Sequence, residues 1–418
     1  MAIIDIKSSN EKISWIIKKN PETQELTKNP FQRVLRKGEI LSWYLNKNTF
    51  RSYFKEKSTE SSFYKNLNND YLNQGAYNCP YAYCSIINEN FSSVLKGDIE
   101  DNISENEIII HQIYVSNFNI LKLFKKHFEN IEINEILIEN KVFKIEFKGK
   151  CSLSYLMKVV HILCLIFSIE DKNLELEINE SIAKKYAQYL LDIDAPYFIV
   201  YLFNSRLIND FSIFKSIKEM FKNKQWILYY GNTQKQRYDQ IKKIITGGSL
   251  LNDIGCGELY YSRQFKDVYE TINAWDADKS IQERNARFLL KKGINNISLK
   301  EEFKVSEMIS NQDTDLLITE MLEHIPKEDA INILAEIKSY NFRKLIITLP
   351  NKDFNQFYKL GKEFRHDDHC WEPTYDESVK MIKDIFNEEL KVVKKIGDQI
   401  NDISVSTLFV IEKDGDKK

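Results

Sequence analysis

The sequence predicts an α/β protein: a C-terminal doubly wound sheet with a terminal antiparallel hairpin, preceded by an N-terminal α+β domain. Three observations carry this. Short apolar runs alternate with helical patterns through the second half, and four of the 13 glycines fall between Gly247 and Gly257. The last two strand-like runs are joined by a loop too short for a crossover helix.

In the N-terminal half, Ile108–Val115 reads as a strand and Ile120–Phe128 has helical spacing. Lys141–Gly149 alternates apolar and charged residues with a period of two, the mark of a half-buried strand. Leu153–Phe167 and Ile182–Leu191 read as helices. A change in pattern near 222–232 divides the chain into domains 1–225 and 226–418. Beyond it, Leu250–Gly255 is a short apolar strand ending in a glycine turn, and Glu258–Phe265 continues as helix. Asn273–Asp278 supplies a second strand tip, Lys279–Lys291 a helix and Asp315–Glu320 a third strand. Leu322–Lys338 reads as a helix, Lys344–Asn351 as a strand, and Glu389–Gly397 with Ile403–Lys413 as the final hairpin.

A chain of 418 residues has room for two ordinary domains, each with its own core. With 43% hydrophobic and 29% charged residues it is neither disordered nor fibrous. Its net charge of −2 excludes a surface coated in positive charge, so a nucleic-acid site would be a local groove or an end pocket. The six cysteines form no CxxC pair, which excludes a zinc ribbon and suits a reducing compartment. The N-terminus has no basic start followed by an apolar run, so a cytoplasmic location is expected. Ser152–Ile169 is the most membrane-like stretch, but Lys158 and His161 interrupt it, and it reads as a buried helix with no membrane partner. His111, His127 and His161 sit singly in apolar surroundings and read as structural.

The turn Asp253-Ile254-Gly255-Cys256-Gly257 leaves a strand and opens a helix, where glycines let a ligand approach the backbone. Asp276, about twenty residues on at the next strand tip, can accept from both hydroxyls of a ribose. A nucleoside-bearing cofactor follows. Together with the terminal hairpin, this pattern resembles the Rossmann-like S-adenosylmethionine-dependent methyltransferase fold, which implies Asp253, Gly255, Gly257 and Asp276 as cofactor-binding residues.

A second constellation is Thr319-Glu320-Met321-Leu322-Glu323-His324, directly after a strand. Glu323 and His324 lie three and four residues beyond Glu320, a spacing that lets all three share a helical face. Oxygen and nitrogen donors in this mix suit Mg²⁺ or Mn²⁺. A fourth ligand is expected from Phe364–Thr374, which carries His366 and His369.

These motifs resemble the small-RNA 3′-terminal ribose 2′-O-methyltransferases of the plant HUA-enhancer type and their bacterial relatives. The ExxEH motif is matched by Glu320, Glu323 and His324, and the later DH(K/R)FEW element in part by Asp368-His369-Cys370-Trp371-Glu372. Thr348-Leu349-Pro350-Asn351 and the pair Gln236-Arg237 resemble further family elements. So, more faintly, do Ile16–Pro21, Tyr71–Tyr77 and the segment from Lys144 to Leu163. Leu259 and the stretch Cys370–Tyr375 depart from the family pattern, the first replacing a glycine and the second losing two basic residues.

The resemblance implies His369 as fourth ligand, so that Glu320, Glu323, His324 and His369 form the catalytic metal site for Mn²⁺ or Mg²⁺. It implies methyl transfer from S-adenosylmethionine to the 2′ oxygen at an RNA 3′ end. A ribose hydroxyl is a poor nucleophile until deprotonated, and His324 or His366 is the expected proton acceptor. Arg237, Asn351 and His366 are expected to touch the terminal nucleotide. The N-terminal half is expected to bind and activate an RNA ligase working with a polynucleotide kinase-phosphatase in RNA repair. Two other readings stay open: a metal-independent methyltransferase for a small molecule or protein, and a non-catalytic ligase-activating subunit.

Overall fold

The computed structural model describes residues 2–20, 30–35, 38–56, 78–97, 100–171, 178–301, 303–307, 313–358 and 363–413. The chain divides into two compact units, Met1–Met220 and Phe221–Lys418. Pro21 and the segment Tyr71–Tyr77, both part of the family likeness, lie outside the described residues.

The first unit is built on a seven-stranded antiparallel sheet. Its strands are β1 (Ala2–Ser8), β2 (Phe31–Val34), β3 (Gly38–Asn46), β4 (Thr49–Glu56), β5 (Ser104–Tyr114), β6 (Glu132–Glu139) and β7 (Val142–Cys151). They lie in the order β2-β3-β4-β1-β5-β7-β6. The sequence reading found only β5 and β7, because β1 to β4 and β6 lack a clean period of two. The helix Leu153–Glu170 is long and apolar enough to cross a membrane, yet 83% of it is buried within the protein. Lys158 is accommodated there by an ion pair with Asp192 at 2.7 Å. His161 is fully buried, its Nε2 within 3.2 Å of the Tyr186 hydroxyl. His111 pairs with Asp5 at 2.8 Å, and Arg51 grips the same carboxylate through two hydrogen bonds. His127 stacks on Phe198.

The second unit has an eight-stranded sheet of β8 (Trp226–Ile227), β9 (Gly248–Ile254), β10 (Tyr269–Trp275), β11 (Ile297–Lys300), β12 (Thr314–Thr319), β13 (Lys344–Pro350), β14 (Leu390–Ile400) and β15 (Ile403–Glu412). The order is β11-β10-β9-β12-β13-β15-β14-β8. Strands β9 to β13 are mutually parallel, and β15, β14 and β8 run antiparallel. Consecutive residues feed opposite faces. Leu316 and Ile318, Leu345 and Ile347, and Phe409 and Ile411 enter one core with Leu334, Ile337 and Phe386. Leu317, Ile346, Leu408 and Val410 enter the other with Ile241, Phe265 and Leu289. This two-faced burial is what makes the parallel strands read as continuous apolar runs.

Two local expectations need correction. The stretch Leu322–Lys338 is not one helix: a 3₁₀ turn, Leu322–His324, is followed by an α-helix over Lys327–Lys338. Pro326 separates them, because a proline inside a helix lacks its N–H donor and clashes with the preceding turn. The helix after the glycine turn begins only at Tyr260, since Leu259 takes a left-handed conformation with φ of 60°. Sequence patterning also missed β11 and the helix Tyr375–Phe386, which opens with a capping box between Thr374 and Glu377.

Candidate active site

Strand β9 is flanked by β10 on one side and β12 on the other, so the order of connection reverses at its carboxyl end. In open α/β sheets this is where ligands bind. The turn after β9 holds Gly255 at φ 72° and Gly257 at φ 49°, conformations that cost an L side chain about 1–2 kcal/mol. A Cβ on Gly255 would lie 2.3 Å from Met321 Cγ, whereas one on Gly257 would meet nothing within 4 Å. The first glycine therefore lets the neighbouring turn approach, and the second leaves open space.

Asp276 stands just beyond β10, half-buried, and its Oδ2 accepts from the Gly257 N–H at 2.9 Å. Its Oδ1 accepts from the Asp278 N–H at 2.9 Å. Each oxygen keeps acceptor capacity for a hydroxyl. Asp253 is completely buried; its Oδ2 takes hydrogen bonds from the Ser262 backbone and hydroxyl at 3.1 and 2.6 Å. Burial pushes its pKa up to about 6, against the lowering effect of those bonds. Asp253 thus clamps the helix that follows the turn.

At the end of β12, Glu320 adopts φ 47° and donates its N–H to the Thr348 carbonyl at 3.1 Å. The next turn presents Glu323 and His324, and His369 comes from the Phe364–Thr374 segment. One ligand atom from each of Glu323, His324 and His369 lies within 4.8 Å of the others. That segment is tied to the turn by the Cys370 N–H to the Glu323 carbonyl at 2.8 Å, and by Trp371 Nε1 to the Leu322 and Ile325 carbonyls. The imidazoles of His324 and His369 meet edge to face at 4.7 Å between centroids.

Glu323 is fully buried, and neither of its carboxylate oxygens has a hydrogen-bond partner among the described residues. Burial, reinforced by the neighbouring Glu320 carboxylate, pushes its pKa well above the usual range. Such a group is costly unless something positive reaches it. A carboxylate beside two imidazoles is a donor set for a divalent first-row ion such as Mn²⁺, and suits it better than Mg²⁺, which prefers oxygen ligands throughout.

Glu320 stands apart from the cluster of three. Its Oε2 pairs with Arg237 at 3.1 Å and accepts from the Ser406 hydroxyl at 3.3 Å, while Oε1 has no partner among the described residues. Arg237 is therefore engaged within the protein. Burial works to lower its pKa, but Glu320 and Tyr261 outweigh it and hold the guanidinium charged. Its neighbour Gln236 donates to the Tyr229 and Gly231 carbonyls and to Asp398, anchoring the helix that carries Arg237.

His366 lies 5.1 Å from His369 between ring centroids, and burial followed by the charge of its neighbours lowers its pKa. Asn351 does not fit the substrate contact expected of it. It is 2% exposed, its Oδ1 accepts the Asp353 N–H, and its Nδ2 donates to the Ser404 carbonyl at 3.0 Å. Its role is to cap the turn after β13.

Sequence reasoning missed Arg365, which donates to the Val405 carbonyl at 3.0 Å and stands 4.0 Å from Glu320. It also assigned no role to Glu372, whose carboxylate meets His369 Nδ1 at 2.6 Å. The signal was the density of ionisable residues between 365 and 372.

Seven of the strands, ordered β11-β10-β9-β12-β13-β15-β14 with a switch-point glycine turn and a strand-tip acid, define the S-adenosylmethionine-dependent methyltransferase class. The Hen1 N-terminal domain matches residues 3–226, more than half of the chain. The protein belongs to the Hen1 family.

Among solved structures, a chain of the Pnkp1/Rnl/Hen1 RNA repair complex is 25% identical, with a TM-score of 0.80 over 98% of this chain and 100% of that one. A second structure of the Pnkp1/Rnl/Hen1 complex gives 24% identity and a TM-score of 0.76, covering 99% of this chain and 100% of that one. No curated protein sequence matches.

Proposed function

We propose that this methyltransferase modifies the 2′ oxygen of the 3′-terminal ribose of RNA in a metal-dependent reaction, during RNA repair. The observation that carries the reading is the convergence of Glu323, His324 and His369 beside the glycine turn, with both Glu323 oxygens unpartnered. These three residues, with Glu320 through Oε1, would hold Mn²⁺ or Mg²⁺. A bound divalent ion supplies Lewis acidity toward the vicinal 2′ and 3′ oxygens. Asp276 and the turn at Gly255 and Gly257 hold the methyl donor, and Asp253 fixes the helix beneath it. His366, kept neutral by its surroundings, is the candidate acceptor for the 2′ proton, with His324 as the alternative. Arg237 acts by steadying Glu320.

By its likeness to a chain of the Pnkp1/Rnl/Hen1 assembly, the protein is assigned a polynucleotide kinase-phosphatase and an RNA ligase as partners. Domain 1–225 is assigned the ligase-binding and activating role.

The test is methyl transfer from labelled S-adenosylmethionine to a short RNA, with and without Mn²⁺, comparing 3′-hydroxyl, 3′-deoxy and 2′-O-methyl ends. Metal-dependent labelling of the free 3′ ribose alone is expected. Labelling that survives a chelator would overturn the metal-dependent reading, and labelling of the 2′-O-methyl end would overturn the assigned oxygen.

A further inference from the structure

His369 can serve a cation only if one ring nitrogen carries a lone pair toward it and the ring is kept from turning. The side chain that meets its other nitrogen is Glu372, three residues on, with Oε1 at 2.6 Å from Nδ1. Both side chains are buried, at 3% and 0% exposure for His369 and Glu372. Glu372 is itself held on more than one side: Oε1 also takes the Arg365 N–H at 2.6 Å, and Oε2 takes Asn355 Nδ2 at 2.5 Å. A carboxylate fixed in this way has little rotational freedom, so the direction of its bond to the imidazole is set before any ligand arrives.

We infer that Glu372 is a positioning residue: it accepts the Nδ1 proton of His369, fixes that tautomer and ring orientation, and leaves Nε2 as the free donor of the cation site. Nitrogen ligands in metal sites are commonly oriented by a carboxylate on the far ring nitrogen, and losing that partner weakens metal affinity about 10–100-fold. Asn355 and the Arg365 backbone extend the chain of support one step further. Trp371, between the two, ties the same segment to the Leu322 carbonyl at 3.1 Å, so His369 and Glu372 are held in place relative to the Glu323 turn. The inference rests on the metal reading of the site, and the experiment separates the two.

The experiment uses the full-length chain labelled with [¹⁵N]histidine, in wild-type, Glu372→Gln, Glu372→Asp and His369→Ala forms. Tautomers are read by NMR without metal, and affinity by titration with Mn²⁺ alone. Wild type is expected to show His369 as the Nδ1–H tautomer and to bind Mn²⁺. Glu372→Gln is expected to weaken Mn²⁺ binding about 10–100-fold while S-adenosylhomocysteine binding and the metal-free melting temperature stay near wild type. Glu372→Asp should recover part of the affinity. In the His369→Ala background, Glu372→Gln should add nothing, since the pair acts as one unit. If wild type binds Mn²⁺ and Glu372→Gln binds it equally well, or if His369 is found as the Nε2–H tautomer, the positioning role is overturned and the metal reading stands. If wild type binds no Mn²⁺, the metal reading falls, and the role assigned to Glu372 falls with it.

Discussion

Replacing Glu323 by Gln removes one negative charge from a side chain that is fully buried and whose two oxygens have no partner among the described residues. Without metal the substitution should be tolerated, because the carboxylate is already pushed toward its neutral form by burial and by Glu320. With metal the two proteins should part. Saturation at a hundredfold excess over Kd stabilises a folded protein by about 2.7 kcal/mol. In a folding unit of the size of Phe221–Lys418, each kcal/mol moves the melting temperature by about 2–4 °C. Wild type should therefore gain about 5–11 °C on adding Mn²⁺, and Glu323→Gln almost nothing. Differential scanning calorimetry with and without Mn²⁺, with Ca²⁺ as a size control, reads the effect. Equal shifts in the two proteins would refute the placement of a cation at Glu323, whatever the methyltransferase assay reports.

Protonation of His161 offers an independent check on the first unit. Burial, then Lys185, pushes its pKa down to about 3, so its contribution is fully present above about pH 6.5 and is lost as pH falls through that window. Urea unfolding should show about 2 kcal/mol less stability at pH 5 than at pH 7, and His161→Phe should flatten the curve; a flat wild-type curve would count against it. Asp253 has the opposite sign: its folded pKa is raised to about 6, so stability present below about pH 4 is lost as pH rises to 6. Asp253→Asn should gain about 2–3 kcal/mol at pH 7 in the ligand-free protein, and a loss at pH 7 would show that the charge is better solvated than its burial indicates. The two turn glycines should separate in their effects. Gly255→Ala meets Met321 and is expected to lower the melting temperature clearly, whereas Gly257→Ala should cost less stability and still weaken S-adenosylhomocysteine binding in calorimetry.

The second half of the chain was legible because its strands are buried on both faces and its turns are punctuated by glycine. Leu250–Gly255, Asp315–Glu320 and the final hairpin all read directly from apolar runs. The first half was legible only in part: β5, β7 and the helices over Phe118–His127, Leu153–Glu170 and Glu180–Asp192 match their sequence patterns, whereas β1 to β4 carry polar residues inside the sheet, such as Ser42 and Ser52, which bond to one another at 2.9 Å and to Asn90. A buried hydroxyl pair looks like surface until its partners are seen. At the site, residue types at fixed spacing pointed to Glu323, His324 and His369, which the fold gathers. They could not show that Glu320 answers to Arg237, because that pairing joins residues far apart in sequence. Asn351 was misread for a related reason: a capping side chain and a substrate contact have the same composition and differ only in what lies within reach.

Strands β9 and β12 are direct neighbours, with Leu317 opposite Asp253 and Ile318 opposite Ile254. The glycine turn leaves one and the Glu320 turn leaves the other, so the gap between them is governed by interstrand spacing, about 4.8 Å, and not by loop length. Met321 leaning on Gly255 closes that gap further. On the proposed assignment, the donor and acceptor sites are in effect mounted on a common ruler. A one-residue insertion in either strand would turn its terminal side chains to the opposite face of the sheet. Variation in reach is therefore confined to the segments beyond the strand ends, and the separation of the two turns is inherited with the sheet.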